Sequence, residues 1–225
     1  MKVNQTLKLF FYTLTAVIWT TFAPGSTVSA TDGESAADTV EILAFGDSLT
    51  AGYGLEAGDG FTDQLEDWLN ANMNVPVKVT NAGVSGDTTS GGRSRLEWGL
   101  APFEGGRPDL VILTLGGNDG LRGIDPKITR DNIDAMVGLL TERGIPVLIG
   151  GMMAPPNLGP DYAEIFNPSY KATAEKYGQP LYPFFLEGVA ADPALNQTDG
   201  IHPNAEGVKI IVNNIGPVVK DLILR

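Results

Sequence analysis

Cysteine is absent from the 225-residue chain, and histidine occurs once. The first absence excludes disulfides, thiolate metal sites, a cysteine nucleophile and a lipidated N-terminal cysteine. The second excludes a multi-histidine metal site within one chain and routes any imidazole catalysis through His202. Positive charge is scarce as well: Lys+Arg is 15 against 27 Asp+Glu, a net charge of −12. A phosphate backbone repels such a surface, so nucleic acid is not expected as a partner. What remains is 43% hydrophobic and 19% charged, with 28 Gly and 15 Pro. That is a globular composition, and the length suits one or two domains.

The first thirty residues read as an address. Lys2 and Lys8 precede an apolar run from Leu9 to Ala23, Pro24-Gly25 breaks it, and Val28-Ser29-Ala30 has the small-x-small pattern of a signal-peptidase site. The apolar part is shorter than the roughly 20 residues of a spanning helix. Residues 1–30 are therefore expected to be a signal peptide cut after about Ala30. Residues 31–225 would then be one domain, without a stable membrane anchor, in the periplasm or medium of a bacterium.

Beyond the leader, short apolar runs alternate with helix-period segments. Ile42–Phe45, Val75–Val79, Leu110–Leu115, Val147–Ile149 and Leu181–Phe185 read as buried strands because they are nearly continuous. Phe61/Leu65/Trp68/Leu69, Ile133/Met136/Val137/Leu140 and Val208/Ile211/Val212/Ile215 repeat at helical spacing. Gly144 sits where a helix C-cap belongs, and Gly216-Pro217 is expected to kink or split the last helix. Gly91-Gly92 and Gly105-Gly106-Arg107-Pro108 read as loops. The alternation describes an α/β domain with a parallel sheet covered on both faces.

Ligands of such folds bind beyond the carboxyl ends of the strands. There the chain carries Gly46-Asp47-Ser48-Leu49, Asn81-Ala82-Gly83, Gly116-Gly117-Asn118-Asp119, Met153-Ala154-Pro155-Pro156-Asn157 and, later, Asp199-Gly200-Ile201-His202-Pro203. Singly, each has a plain reading: Ser48 or Asp47 as a helix cap, Gly83 as a turn, Asn118-Asp119 as a turn, His202 as a surface residue. Jointly, a serine, a glycine turn, an asparagine and an Asp/His pair on one rim are the parts of an acyl-transfer site.

These residues resemble the GDSL, or SGNH, hydrolase superfamily. Gly46–Leu49 is similar to its first block, Gly83 to its second, Gly116-x-Asn118-Asp119 to its third and Asp199-x-x-His202 to its fifth. FGDSLTAGYG, NAGVSGD, LGGNDGLR and DGIHP further resemble the bacterial thioesterase–protease–lysophospholipase group, whose relatives are also called arylesterases. The resemblance implies a flavodoxin-like three-layer α/β/α sandwich on a central parallel five-stranded sheet. It implies Ser48 as nucleophile, His202 as base and Asp199 as its orienter, with Ser48, Gly83 and Asn118 as oxyanion donors. Neither metal nor organic cofactor is implied. Pro203 would stiffen the start of the final helix. The expected substrate is a small-molecule acyl ester or thioester, with Leu121, Arg122, Met153 and Pro155 as candidate contacts. Gly120–Gly123 would form a mobile lip, and Arg122 would meet an anionic head group or a surface ion pair. Carbohydrate O-deacetylation and a non-catalytic binding protein are the alternatives.

Overall fold

The computed structural model describes residues 39–225. The expected signal peptide lies outside the described residues. Five strands form one all-parallel sheet: β1 (Val40–Gly46), β2 (Val77–Gly83), β3 (Leu110–Thr114), β4 (Val147–Gly150) and β5 (Leu181–Tyr182), in the order β2-β1-β3-β4-β5. The chain steps one way from β1 to β2 and the other way from β2 through β5. Right-handed crossovers therefore put α2 (Phe61–Asn72) on one face and α3 (Thr89–Leu100), α5 (Pro126–Glu142) and α6 (Pro160–Tyr177) on the other. Helix α7 (Ala205–Ile223) returns to pack on α2. This is the expected three-layer sandwich with flavodoxin-like strand order, whose switch point lies between β1 and β3.

The central strands are apolar along their length because both faces are covered. Ile42–Phe45, Leu110–Leu113 and Val147–Ile149 are all buried, each large side chain contributing about 1.5–3 kcal/mol. The edge strand β2 differs from its expected span. It starts after Pro76, which has no N–H to give, and runs through Asn81-Ala82-Gly83, paired with Ala44–Gly46. Its burial alternates, so its polar end does not read as strand. β5 stops at Pro183, although Phe185 beyond it is still core.

Three helix expectations need correction. Gly91-Gly92 is not a loop but lies inside α3, where a Cβ on Gly92 would come 2.3 Å from Leu115 Cδ1. The glycine lets the helix approach the sheet that closely. Gly216-Pro217 does not split α7, because buried Ile215 and Val219 continue the apolar stripe past the proline. Pro203 is not the first helical residue; Asn204 caps α7 by accepting Gly207 N–H. Gly144 does follow α5 with φ +67°, as a C-terminal glycine should.

Candidate active site

Strand β1 hands the chain to a four-residue helix, α1 (Ser48–Ala51). Asp47 caps it: Leu49 N–H donates to Asp47 Oδ1 at 3.0 Å. Ser48 therefore stands at the first helical position, where its N–H has no acceptor among the described residues. Opposite, β3 leads into the short helix α4 (Gly117–Leu121), which carries Asn118. Asn118 Nδ2 donates to Asp47 Oδ2 at 3.3 Å.

His202 arrives on the loop before α7, 154 residues further along. Its Nε2 lies 2.9 Å from Ser48 Oγ, and its Nδ1 lies 2.7 Å from Asp199 Oδ2. The other Asp199 oxygen accepts the N–H groups of Ile201 (2.9 Å) and His202 (3.0 Å). Those bonds, the one from the imidazole foremost, hold the Asp199 carboxyl down at about 2. An ionised Asp199 only accepts, so it fixes the proton on Nδ1 and leaves Nε2 free to take one from Ser48. Gln197 ties the loop down. Its N–H donates to His202 C=O (2.7 Å), and its Nε2 donates to Tyr53 C=O (2.8 Å) and Pro203 C=O (3.0 Å). The Tyr53 ring leans on the imidazole, centroids 4.7 Å apart.

The serine opens into a cavity of about 330 Å³ lined by Asp47, Ser48, Leu49, Gly117, Asn118, Leu121, Met152, Met153, Pro155, Phe184, Leu186, Ile201 and His202. Most of this wall is apolar. Leu121, Met153 and Pro155, the candidate substrate contacts, are part of it. Phe184 and Leu186 escaped sequence reasoning, though their signal was present: they follow β5 directly, at the same strand end that supplied the other residues.

Two expected site residues are placed otherwise. Gly83 is not on the cavity wall, and its N–H donates to Asn81 Oδ1 at 2.9 Å. Its lack of a side chain serves packing instead, since a Cβ there would lie 2.2 Å from Ala51 N. Among the described residues Arg122 meets no carboxylate; its guanidinium donates to Gly86 C=O at 2.7 Å, tying α4 to the turn after β2. Gly120, at one end of the expected lip, is buried against Pro155.

Fold and site define the class: an α/β/α hydrolase with its chemistry at the carboxyl edge of a parallel sheet. Residues 44–210 match the model of the GDSL-like Lipase/Acylhydrolase family. "Esterase TesA" of Pseudomonas aeruginosa is 40% identical over 182 residues, covering 81% of this chain and 89% of that one. "Thioesterase 1/protease 1/lysophospholipase L1" of Escherichia coli is 35% identical over 190 residues, covering 84% and 86%. A solved structure of the psychrotrophic esterase EstA from Pseudoalteromonas sp., inhibited by monoethylphosphonate, is 31% identical with a TM-score of 0.75, covering 83% of this chain and 100% of that one. The chain belongs to the GDSL-like lipase/acylhydrolase family and is an enzyme, a hydrolase of that family.

Proposed function

We propose that the protein cleaves carboxylic esters and thioesters of apolar acyl groups through a Ser48–His202–Asp199 triad. The observation that carries this reading is the unbroken chain from Ser48 Oγ to His202 (2.9 Å) to Asp199 (2.7 Å), opening into an apolar cavity. Ser48 Oγ attacks the carbonyl carbon while its proton passes to His202 Nε2. The tetrahedral intermediate collapses as His202 returns that proton to the leaving alcohol or thiol, giving acyl-Ser48. Water, deprotonated by the same imidazole, then releases the acid and restores Ser48.

The oxyanion meets the free Ser48 N–H and the Asn118 amide. The third donor expected at Gly83 is engaged by Asn81, and we assign that role to the next turn. Asp87 N–H to Val84 C=O (3.0 Å) closes it, and its Gly86 N–H, at φ +80°, has no acceptor among the described residues. Arg122, beside Leu121 of the cavity wall, holds Gly86 through its carbonyl.

The relatives' names and the apolar wall favour aryl esters, acyl thioesters or lysophospholipids over the sugar acetates of a deacetylase. Among the described residues no helix is long and apolar enough to cross a membrane. With cleavage after about Ala30, the enzyme would work in the periplasm or medium. The test is hydrolysis of p-nitrophenyl esters from acetate to palmitate, with Ser48→Ala as control. A Ser48-dependent rate peaking at medium or long chains is expected. Cleavage of acetate alone would favour deacetylation, and no Ser48-dependent rate would sink the enzyme reading of this site.

A further inference from the structure

Asp47 is the buried carboxylate at the site that the triad does not use. It is 1% exposed, yet it borders the cavity. Both of its oxygens are committed: Oδ1 accepts Leu49 N–H (3.0 Å) and Oδ2 accepts Asn118 Nδ2 (3.3 Å). Capping α1 needs a single oxygen, and Ser, Thr or Asn would supply it. The second oxygen, and the cost of burying a carboxylate to place it, need another account.

That account lies in the Asn118 amide. Its terminal torsion is broad and roughly two-fold, so an unrestrained side chain presents its oxygen about as readily as its nitrogen. An oxygen turned into the cavity would repel an oxyanion instead of binding it. A carboxylate accepts only, so Asp47 Oδ2 attracts the NH₂ end and repels the C=O end. Once one N–H is held there, the planar amide directs its second N–H away from Asp47. We propose that Asp47 is a positioning residue that fixes the Asn118 amide with its free N–H towards the oxyanion; the inference rests on the serine-hydrolase reading above. The arrangement gives the first block and the third block of the sequence one shared task. Burial lifts the Asp47 carboxyl to about 6, against the pull of Leu49 N–H, Asn118 and His202, so the accepting form prevails at neutral pH and above.

Asp47→Asn is the selective probe. Asparagine remains a good cap, its oxygen taking Leu49 N–H, while its NH₂ faces the NH₂ of Asn118. We expect kcat to fall roughly 10–100-fold with KM unchanged, short of the roughly 10²–10³ that outright loss of an oxyanion donor costs, because the amide is misdirected and not removed. In an Asn118→Ala background the same substitution should cost nothing further. A purely structural Asp47 would lower kcat by the same factor in both backgrounds, which would overturn the inference. Asp47→Ser, which keeps one capping oxygen and no second acceptor, must reproduce the result if Asp47→Asn fails to fold. Asn118→Ala at the wild-type rate would overturn the oxyanion reading itself. A slow Asn118→Ala beside an unimpaired Asp47→Asn would overturn this inference alone.

Discussion

The two halves of the site are built differently. Asp47 and Ser48 are 1% and 8% exposed, standing at the end of a strand buried from Ile42 onward, with Gly83 packed against the backbone of Ala51. The Asp199 and His202 side chains are 37% and 19% exposed, on a loop whose bonds are mostly local: Asp199 to Ile201 and His202, Gln197 to His202 and Pro203. The core places the nucleophile. A short knot of hydrogen bonds places the base, and beyond the His202–Ser48 contact itself the Gln197–Tyr53 bond and the Tyr53 ring reach across to the other half. The difference separates stability from activity. Damage on the nucleophile side should lower both, whereas damage on the base side should lower activity alone.

The sharpest test is on the base side. His202→Ala should lower kcat by about 10⁴-fold or more, and Asp199→Ala by less, because the imidazole remains and loses only its orientation. Both variants should melt close to the wild type, since neither side chain belongs to the core. A large loss of Tm in either would break the comparison, and retained activity in His202→Ala would end the triad reading. Next comes Gly83→Ala. Its Cβ would press on Ala51 N at 2.2 Å, and backbone cannot yield as a side chain can. A loss of about 1–3 kcal/mol in stability is expected together with a lower kcat, as α1 and Ser48 shift. Gln197→Ala should sharpen the contrast: kcat down roughly 3–10-fold with stability within about 1 kcal/mol of wild type. Equal stability losses in Gly83→Ala and Gln197→Ala, read by urea unfolding, would erase the distinction.

The same contrast decided what could be read from the sequence. Strands β1, β3 and β4 are buried on both faces, so their residue types alone announce them. Edge strand β2 alternates and ends in Asn81-Ala82-Gly83, and helix α3 carries glycines where it touches Leu115, so neither shows the pattern of its kind. Ser48, Asn118, Asp199 and His202 were legible because each follows a strand end, and the structure brings them together. Gly83 was misplaced because the position of a donor depends on which N–H a neighbouring side chain claims. No spacing rule shows that Asn81 turns its amide oxygen onto that glycine. Phe184 and Leu186 needed only the strand-end rule applied once more. The pairing of Asp47 with Asn118 joins residues 71 positions apart and required coordinates.

The contrast extends to the pH dependence of stability, where the two carboxylates move in opposite directions. Asp47 rises from 3.8 to about 6, chiefly by burial, while Asp199 falls from 3.8 to about 2, chiefly through its bond with His202. Between those Asp47 values the folded state binds a proton that the unfolded state has released. Charging Asp47 therefore lowers stability progressively from about pH 4 to about pH 6, by on the order of 3 kcal/mol, and no further above that. Asp199 is solvent-screened, so its contribution to stability is small; it is complete above the group's ordinary value and lost as pH falls towards about 2, so it is flat from pH 5 to 8. Urea unfolding of wild type, Asp47→Asn and Asp199→Asn from pH 3 to 8 separates the two. The wild-type advantage over Asp47→Asn should shrink across pH 4–6, while the wild-type difference from Asp199→Asn should hold steady above pH 5. A wild-type/Asp47→Asn difference that stayed constant across pH 4–6 would mean that Asp47 is not the buried, charge-penalised member of the pair, and the split between a core-built and a loop-built half would lose its electrostatic support.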